Sequence, residues 1–256
     1  MKKKIGLLSV IAMFSMTGYS LFYSNAEARE QKPKAPTTST YSFEKEKKKA
    51  ESDVPKADPD SWELTLVGPK NKIEEEINED QLTTLSDASH QVDNRIASDY
   101  EAFSKAASDA GFPLVIISAY RSVAAQKEVF DTNVYGLMNQ GMSQEEATAK
   151  TKETITEPGF SEHHTGLALD VVDQDWYNNY GNQVLDATYG DQPGAKWIAE
   201  NAPKYGFIVR YLEDREDITG ITYEPWHIRY VGKKNAEYIA KHDLTLEEYL
   251  KLLSSN

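Results

Sequence analysis

The chain has 256 residues, a formal net charge of −13 at pH 7, 41 acidic side chains against 28 basic ones, and no cysteine. The acidic balance excludes the basic surface that nucleic-acid binding requires. The lack of cysteine excludes disulfides, thiolate catalysis and thiolate metal sites, so any metal must be held by His, Asp or Glu.

Residues 1–28 read as an export signal peptide. Lys2, Lys3 and Lys4 form a basic start, Ile5 to Tyr23 is largely apolar, and Ala26-Glu27-Ala28 fits a small-x-small cleavage site. The apolar run approaches the ~17–25 residues that cross a bilayer, so an uncleaved anchor is the second reading. Both readings place the rest of the chain outside the cytoplasm, secreted or in the cell envelope, with membrane contact only through this segment. Residues 29–60 read as a disordered polar linker. They hold Pro33, Pro36, Pro55 and Pro59 and the charged block Glu44 to Lys49, with Tyr41, Phe43 and Val54 as the only large apolar side chains. That is too little apolar surface to offset the entropy of ordering.

A single folded domain is expected over residues 61–256. Trp62, Leu64 and Leu66 alternate with polar residues and predict a strand. Val92, Ile96, Tyr100, Phe103 and Ala107 follow helical spacing, closed by Gly111. Leu114 to Ile117 predicts a buried strand, and a helix starts near Ser122. Residues 141–156 are polar and predict a helix or a mobile loop. Leu167 to Val172, Phe207 to Tyr211 and Trp226 to Val231 predict strands, with a short helix from Ala195 to Ala202. At the C-terminus Thr245 and Glu248 form a capping box ahead of Leu246, Tyr249, Leu250 and Leu253. Helices early and late with strands between them predict an α+β domain with a largely antiparallel sheet flanked by helices.

The chemistry lies in two segments. In Ser161-Glu162-His163-His164-Thr165-Gly166-Leu167-Ala168-Leu169-Asp170, the Asp170 carboxylate projects from an otherwise apolar strand and needs a cation or hydrogen-bond donors. A straight strand would carry His163 ~23 Å away from it. The two share a metal only if the chain reverses between them, and Thr165-Gly166 is the place for that. In Tyr223-Glu224-Pro225-Trp226-His227-Ile228-Arg229-Tyr230, Pro225 interrupts the ladder and puts Glu224 on a stiff corner beside His227. His163, Asp170 and His227 make a three-ligand set of the kind that holds catalytic zinc while leaving one position for water. Glu224 stands where a general base would reach that water. The bland readings are that Glu224 pairs with Arg229 or a lysine, that Arg121 is a surface residue, and that Trp226 and Tyr230 belong to the core. Asp173 and Asp175 read as solvated loop residues, His90 and His242 as ordinary histidines, and His164 as pointing away from the ligand beside it.

Ser161 to Asp170, followed by Glu224-x-x-His227 and preceded by Ser118-Ala119-Tyr120-Arg121-Ser122 with Gln126, resembles the VanY-type zinc D-alanyl-D-alanine carboxypeptidases. These are related to the VanX dipeptidases and to endolysins that cut between L-Ala and D-Glu. The resemblance spans roughly Trp62 to the C-terminal helices and implies a hedgehog/D,D-peptidase-like fold. It implies Zn2+ on His163, Asp170 and His227, Glu224 as base, Arg121 at the scissile bond, and Ser161, Gln126 and Tyr120 as substrate contacts. The implied activity is removal of the terminal D-Ala from peptidoglycan stem peptides. An L,D-carboxypeptidase acting on the tetrapeptide stem is the alternative, and a non-catalytic zinc or wall-peptide binding domain is a further one. Glu157 ahead of Pro158-Gly159 departs from the small or apolar residue expected there.

Overall fold

The computed structural model describes residues 54–152, 155–180 and 183–255. The expected leader and most of the expected linker lie outside these residues. Packing begins ahead of residue 61, because Val54 and Ala57 lie against the apolar cluster formed by Leu64, Ile208, Val231, Ile239, Leu246 and Tyr249.

A four-stranded antiparallel sheet positions the site. Its strands are β3 (Leu114–Ser118), β4 (Ala168–Asp173), β5 (Phe207–Tyr211) and β6 (Glu224–Tyr230), in the order β3-β4-β6-β5. A short hairpin of β1 (Leu82–Thr84) and β2 (Gln91–Asp93) lies outside it. β4 is buried along its whole length, as its near-continuous apolar sequence requires of a central strand. β3 is an edge strand and only half-buried, which corrects the expectation of a buried strand there.

Helix α1 (Ala97–Asp109) buries Ala107 and packs Tyr100 and Phe103 onto a core that includes Leu169, Val171, Phe207 and Ile228 of the sheet. Each large apolar side chain enclosed there contributes about 1.5–3 kcal/mol. Gly111, at φ 89°, ends α1 as expected. Val92 belongs to β2 rather than to α1. Helix α2 (Val123–Asn139) starts on Ser122, whose hydroxyl accepts from the Ala125 amide. Helix α3 (Gln144–Lys152) then folds back on α2 through Phe130, Val134 and Ala147, so part of the polar stretch 141–156 is helical. Glu157 is exposed and pairs with Lys152 at 2.9 Å.

Helix α4 (Pro193–Asn201) covers the expected short helix, and Pro203 falls within the single 3-10 turn that follows it. Helices α5 (Lys233–Lys241) and α6 (Leu246–Leu253) close the chain, with the expected capping box at Thr245 and Glu248. Two local expectations fail. Trp62–Leu64 is one 3-10 turn, not a strand, because only Leu64 points inward while Trp62 stacks on Tyr230 at the surface. Asp173 is buried, not solvated, and caps the helical turn Gln174–Asn179 through the amides of Asp175 and Trp176.

Candidate metal centre

Asp170 and His227 are direct partners across β4 and β6, so pleating alone puts both side chains on one face. Ser118 lies opposite Asp170 on the other side, on β3. His163 arrives from outside the sheet, on a 3-10 turn (Glu162–Thr165) that Gly166 ends at φ 67°. A side chain at Gly166 would strain that backbone and meet the Asp93 amide nitrogen at 2.8 Å. The expected chain reversal therefore occurs where the sequence places it.

The three side chains are buried and close. His163 Nε2 is 3.2 Å from Asp170 Oδ2, and His227 Nδ1 is 3.0 Å from Asp170 Oδ1. One donor atom from each residue lies within 4.8 Å of the other two. The remaining ring nitrogens are already used. His163 Nδ1 donates to the Ala119 carbonyl at 2.8 Å, which leaves Nε2 as its ligand atom. His227 Nε2 faces a Glu162 carboxylate oxygen at 3.2 Å, which leaves Nδ1. Two imidazoles and a carboxylate, oriented by second partners, fit zinc; they do not fit calcium or magnesium, which take more oxygen ligands.

Glu224 reaches the same corner through an irregularity. Residues three apart on a regular strand face opposite sides. Here β5 pairs Val209 with Ile228 and Tyr211 with Glu224, so β6 carries extra residues around Pro225 and turns Glu224 back. Glu224 Oε2 lies 3.6 Å from His227 Nδ1. Burial pushes its carboxyl up to about 7, against the pull of His227. Burial acts the same way on Asp170, but His163 and His227 outweigh it and hold that group well below the usual carboxylate range. Glu224 does not pair with Arg229, which instead binds Glu162 at 2.7 Å.

Arg121 stands just ahead of α2, half-buried, in the field of Asp170 and Glu224. Its Nη2 donates weakly to Ser118 Oγ at 3.4 Å, and its Nε has no hydrogen-bond partner among the described residues. Burial lowers its pKa, and the two carboxylates oppose that shift. The His163-His164 pair fixes the arginine segment. Arg121 N–H donates to the His163 carbonyl at 3.2 Å, and His164 Nδ1 donates to the Arg121 carbonyl at 2.7 Å. The other His164 nitrogen accepts from the Gly159 amide at 3.1 Å. His164 is thus a buried, neutral clamp between two loops, with both ring nitrogens occupied.

Gln126 is buried, donates to the Thr156 carbonyl at 2.6 Å, and leaves Oε1 without a partner among the described residues. Ser161 caps the 3-10 turn through the His163 amide, and Tyr120 donates to Glu76 at 3.1 Å. Both hold structure by these bonds. Two residues that sequence reasoning did not single out complete the site's surroundings. Glu162 is enclosed between two arginines, and the Tyr211 ring lies 4.9 Å from that of His227.

A His-Asp-His set with an adjacent carboxylate, on the face of an antiparallel sheet, has the donors of a metal centre with a nearby acid-base group. The family model of VanY, described as D-alanyl-D-alanine carboxypeptidase, matches residues 89–233, and the chain belongs to that family. It is 44% identical over 146 residues to a putative carboxypeptidase, YodJ, of Bacillus subtilis strain 168, covering 57% of this chain. That match spans 48% of the relative, about half its length. The fold superposes on the vancomycin resistance D,D-pentapeptidase VanY of a VanB-type cassette in complex with Zn(II), at TM-score 0.61 and 34% identity, over 74% of this chain and 99% of the other. It also superposes on the LdcB LD-carboxypeptidase, at TM-score 0.63 and 33% identity, over 78% of this chain and 94% of the other.

Proposed function

We propose that this chain is a zinc D,D-carboxypeptidase that removes the terminal D-Ala from peptidoglycan stem peptides. The observation that carries the reading is the convergence of His163 Nε2, Asp170 and His227 Nδ1, each oriented by a second partner, beside a carboxylate that is not needed as a ligand. His163, Asp170 and His227 would hold a zinc ion, which would supply Lewis acidity toward the scissile carbonyl and toward water.

The chain's own groups do the rest. Glu224 accepts the proton of the attacking water and returns it to the leaving amine, and a carboxyl pushed up toward neutrality is suited to both tasks. Arg121, with an uncommitted Nε, donates to the oxyanion that develops at the carbonyl, a contribution of roughly 3–4 kcal/mol per donor in other enzymes. Gln126 Oε1 accepts from a peptide N–H of the substrate. Ser161 and Tyr120 line the substrate side in this reading, besides capping the 3-10 turn and bonding Glu76.

The likeness to LdcB keeps the L,D reaction as the second reading. Mass spectrometry of pentapeptide and tetrapeptide stems after incubation with the zinc-loaded protein separates the two. Loss of one D-Ala from the pentapeptide alone supports the D,D reading, and trimming of the tetrapeptide alone overturns it. If neither peptide changes, the enzyme reading itself fails.

Export through residues 1–28 completes the proposal, since the substrate lies outside the membrane. N-terminal sequencing of the mature protein is expected to start at Arg29. A start at Met1 in the membrane fraction would replace cleavage by anchoring.

A further inference from the structure

Glu162 has no part in the hydrolysis described above, yet it makes more charged contacts than either carboxylate at the metal corner. Its side chain is fully enclosed. Oε1 accepts from Arg210 Nε at 2.8 Å and from Arg229 Nη1 at 2.7 Å. Oε2 lies 3.2 Å from His227 Nε2. Arg210 goes on to give two parallel bonds, at 2.9 and 2.7 Å, to Glu247 at the start of α6. Arg229 Nη2 donates to the Glu63 and Thr65 carbonyls, at 3.2 and 2.7 Å.

Two carboxylates and two guanidiniums therefore balance one another inside the protein. Stability alone gives a weak reason for such a set, because apolar side chains of similar volume often serve as well or better. The contact that stability does not call for is the one to His227. A carboxylate on the far nitrogen of a ligand histidine fixes the ring and its tautomer and makes the near nitrogen a better donor. A lone glutamate would swing. Here two arginines anchored on β5 and β6 pin one of its oxygens, so the other has a single orientation.

We propose that Glu162 is a positioning residue for the metal. It holds His227 so that Nδ1 faces Asp170 and His163, and Arg210 and Glu247 extend that support to the C-terminal helix. This rests on the reading of His163, Asp170 and His227 as zinc ligands. It adds that ligand geometry depends on a helix whose residues never touch the metal.

Zinc affinity, measured by competition with a chromophoric chelator on the full chain, tests it alongside the melting temperature of the metal-free protein. Glu162→Gln is expected to bind zinc about 10–100-fold more weakly. Glu162→Leu combined with Arg229→Met removes one charge of each sign, leaves Arg210 paired with Glu247, and should show a loss of the same order. Glu247→Gln changes a partly exposed group, keeps the fold, and should weaken zinc by a few-fold. The visible spectrum of the cobalt-loaded Glu162→Gln protein should also shift, because the ligand ring is no longer held. A lowered melting temperature with wild-type zinc affinity in every variant that folds would make the network purely structural and overturn the proposal. A wild-type protein that binds no zinc would instead contradict the ligand assignment on which it rests.

Discussion

The two walls of the metal corner are built on opposite principles. Behind His227, the side chains of Glu162, Arg210 and Arg229 are shut off from solvent, and their charges are matched by partners. Toward α2, Arg121 is half-buried and Gln126 is buried, and each keeps one buried polar atom with no partner among the described residues. A buried polar group left unsatisfied costs about 1–3 kcal/mol. This division supports the proposal that the first wall holds a metal and that the second meets a polar ligand.

The comparison can be broken in order of expected effect. His163→Ala removes a donor from the supporting side. Metal analysis should find the zinc gone, and turnover should fall to background, whereas full retention of zinc would take His163 out of the ligand set. Arg121→Lys acts on the receiving wall and should leave zinc untouched. A lysine ammonium cannot reproduce the guanidinium fork, so kcat and kcat/KM should fall together by roughly 10²–10³. A rise in KM alone would move Arg121 from the oxyanion to ground-state binding. Gln126→Ala should raise KM by about tenfold, the loss of one hydrogen bond to substrate plus strain at the Thr156 carbonyl. An unchanged KM would return Gln126 to the structure alone.

The smallest effect is a proton. In the metal-free protein burial works against a charge on His227, but Asp170 and Glu162 outweigh it and push its pKa up to about 10. A coordinating nitrogen must be deprotonated, so below that pH zinc uptake displaces a proton, and affinity weakens as pH falls. Calorimetry in buffers of different ionisation enthalpy should detect release of about one proton per zinc at pH 7. No release would mean that His227 enters the metal-free site neutral.

Much of the metal corner is legible in the amino-acid sequence. The convergence of His163, Asp170 and His227 is, because Asp170 sits in an apolar strand and must be compensated, and because Gly166 marks the easy reversal between it and His163. The four sheet strands follow from short apolar runs. Trp62 to Leu66 misleads because three alternating apolar residues are also compatible with one turn of 3-10 helix. The supporting wall is harder to read. Glu162 looks like an ordinary acid at a turn, and its arginines lie 48 and 67 residues away. A signal is present all the same. Arg210 interrupts Phe207-Ile208-Val209 and Tyr211, Arg229 stands between Ile228 and Tyr230, and arginines in buried strands need buried acids. The role of His164 does not follow from its neighbour in sequence; its two hydrogen bonds depend on loops that only the fold brings together.

The most direct test of the account replaces Glu224 by Gln and measures zinc content and stem-peptide hydrolysis on the same preparation. The amide keeps the shape and cannot take the proton, so the protein should carry one zinc per chain, as the wild type does, while kcat falls by about 10²–10⁴. Hydrolysis at the wild-type rate by zinc-loaded Glu224→Gln protein would contradict the assignment of the base and, with it, the division of labour between the two walls.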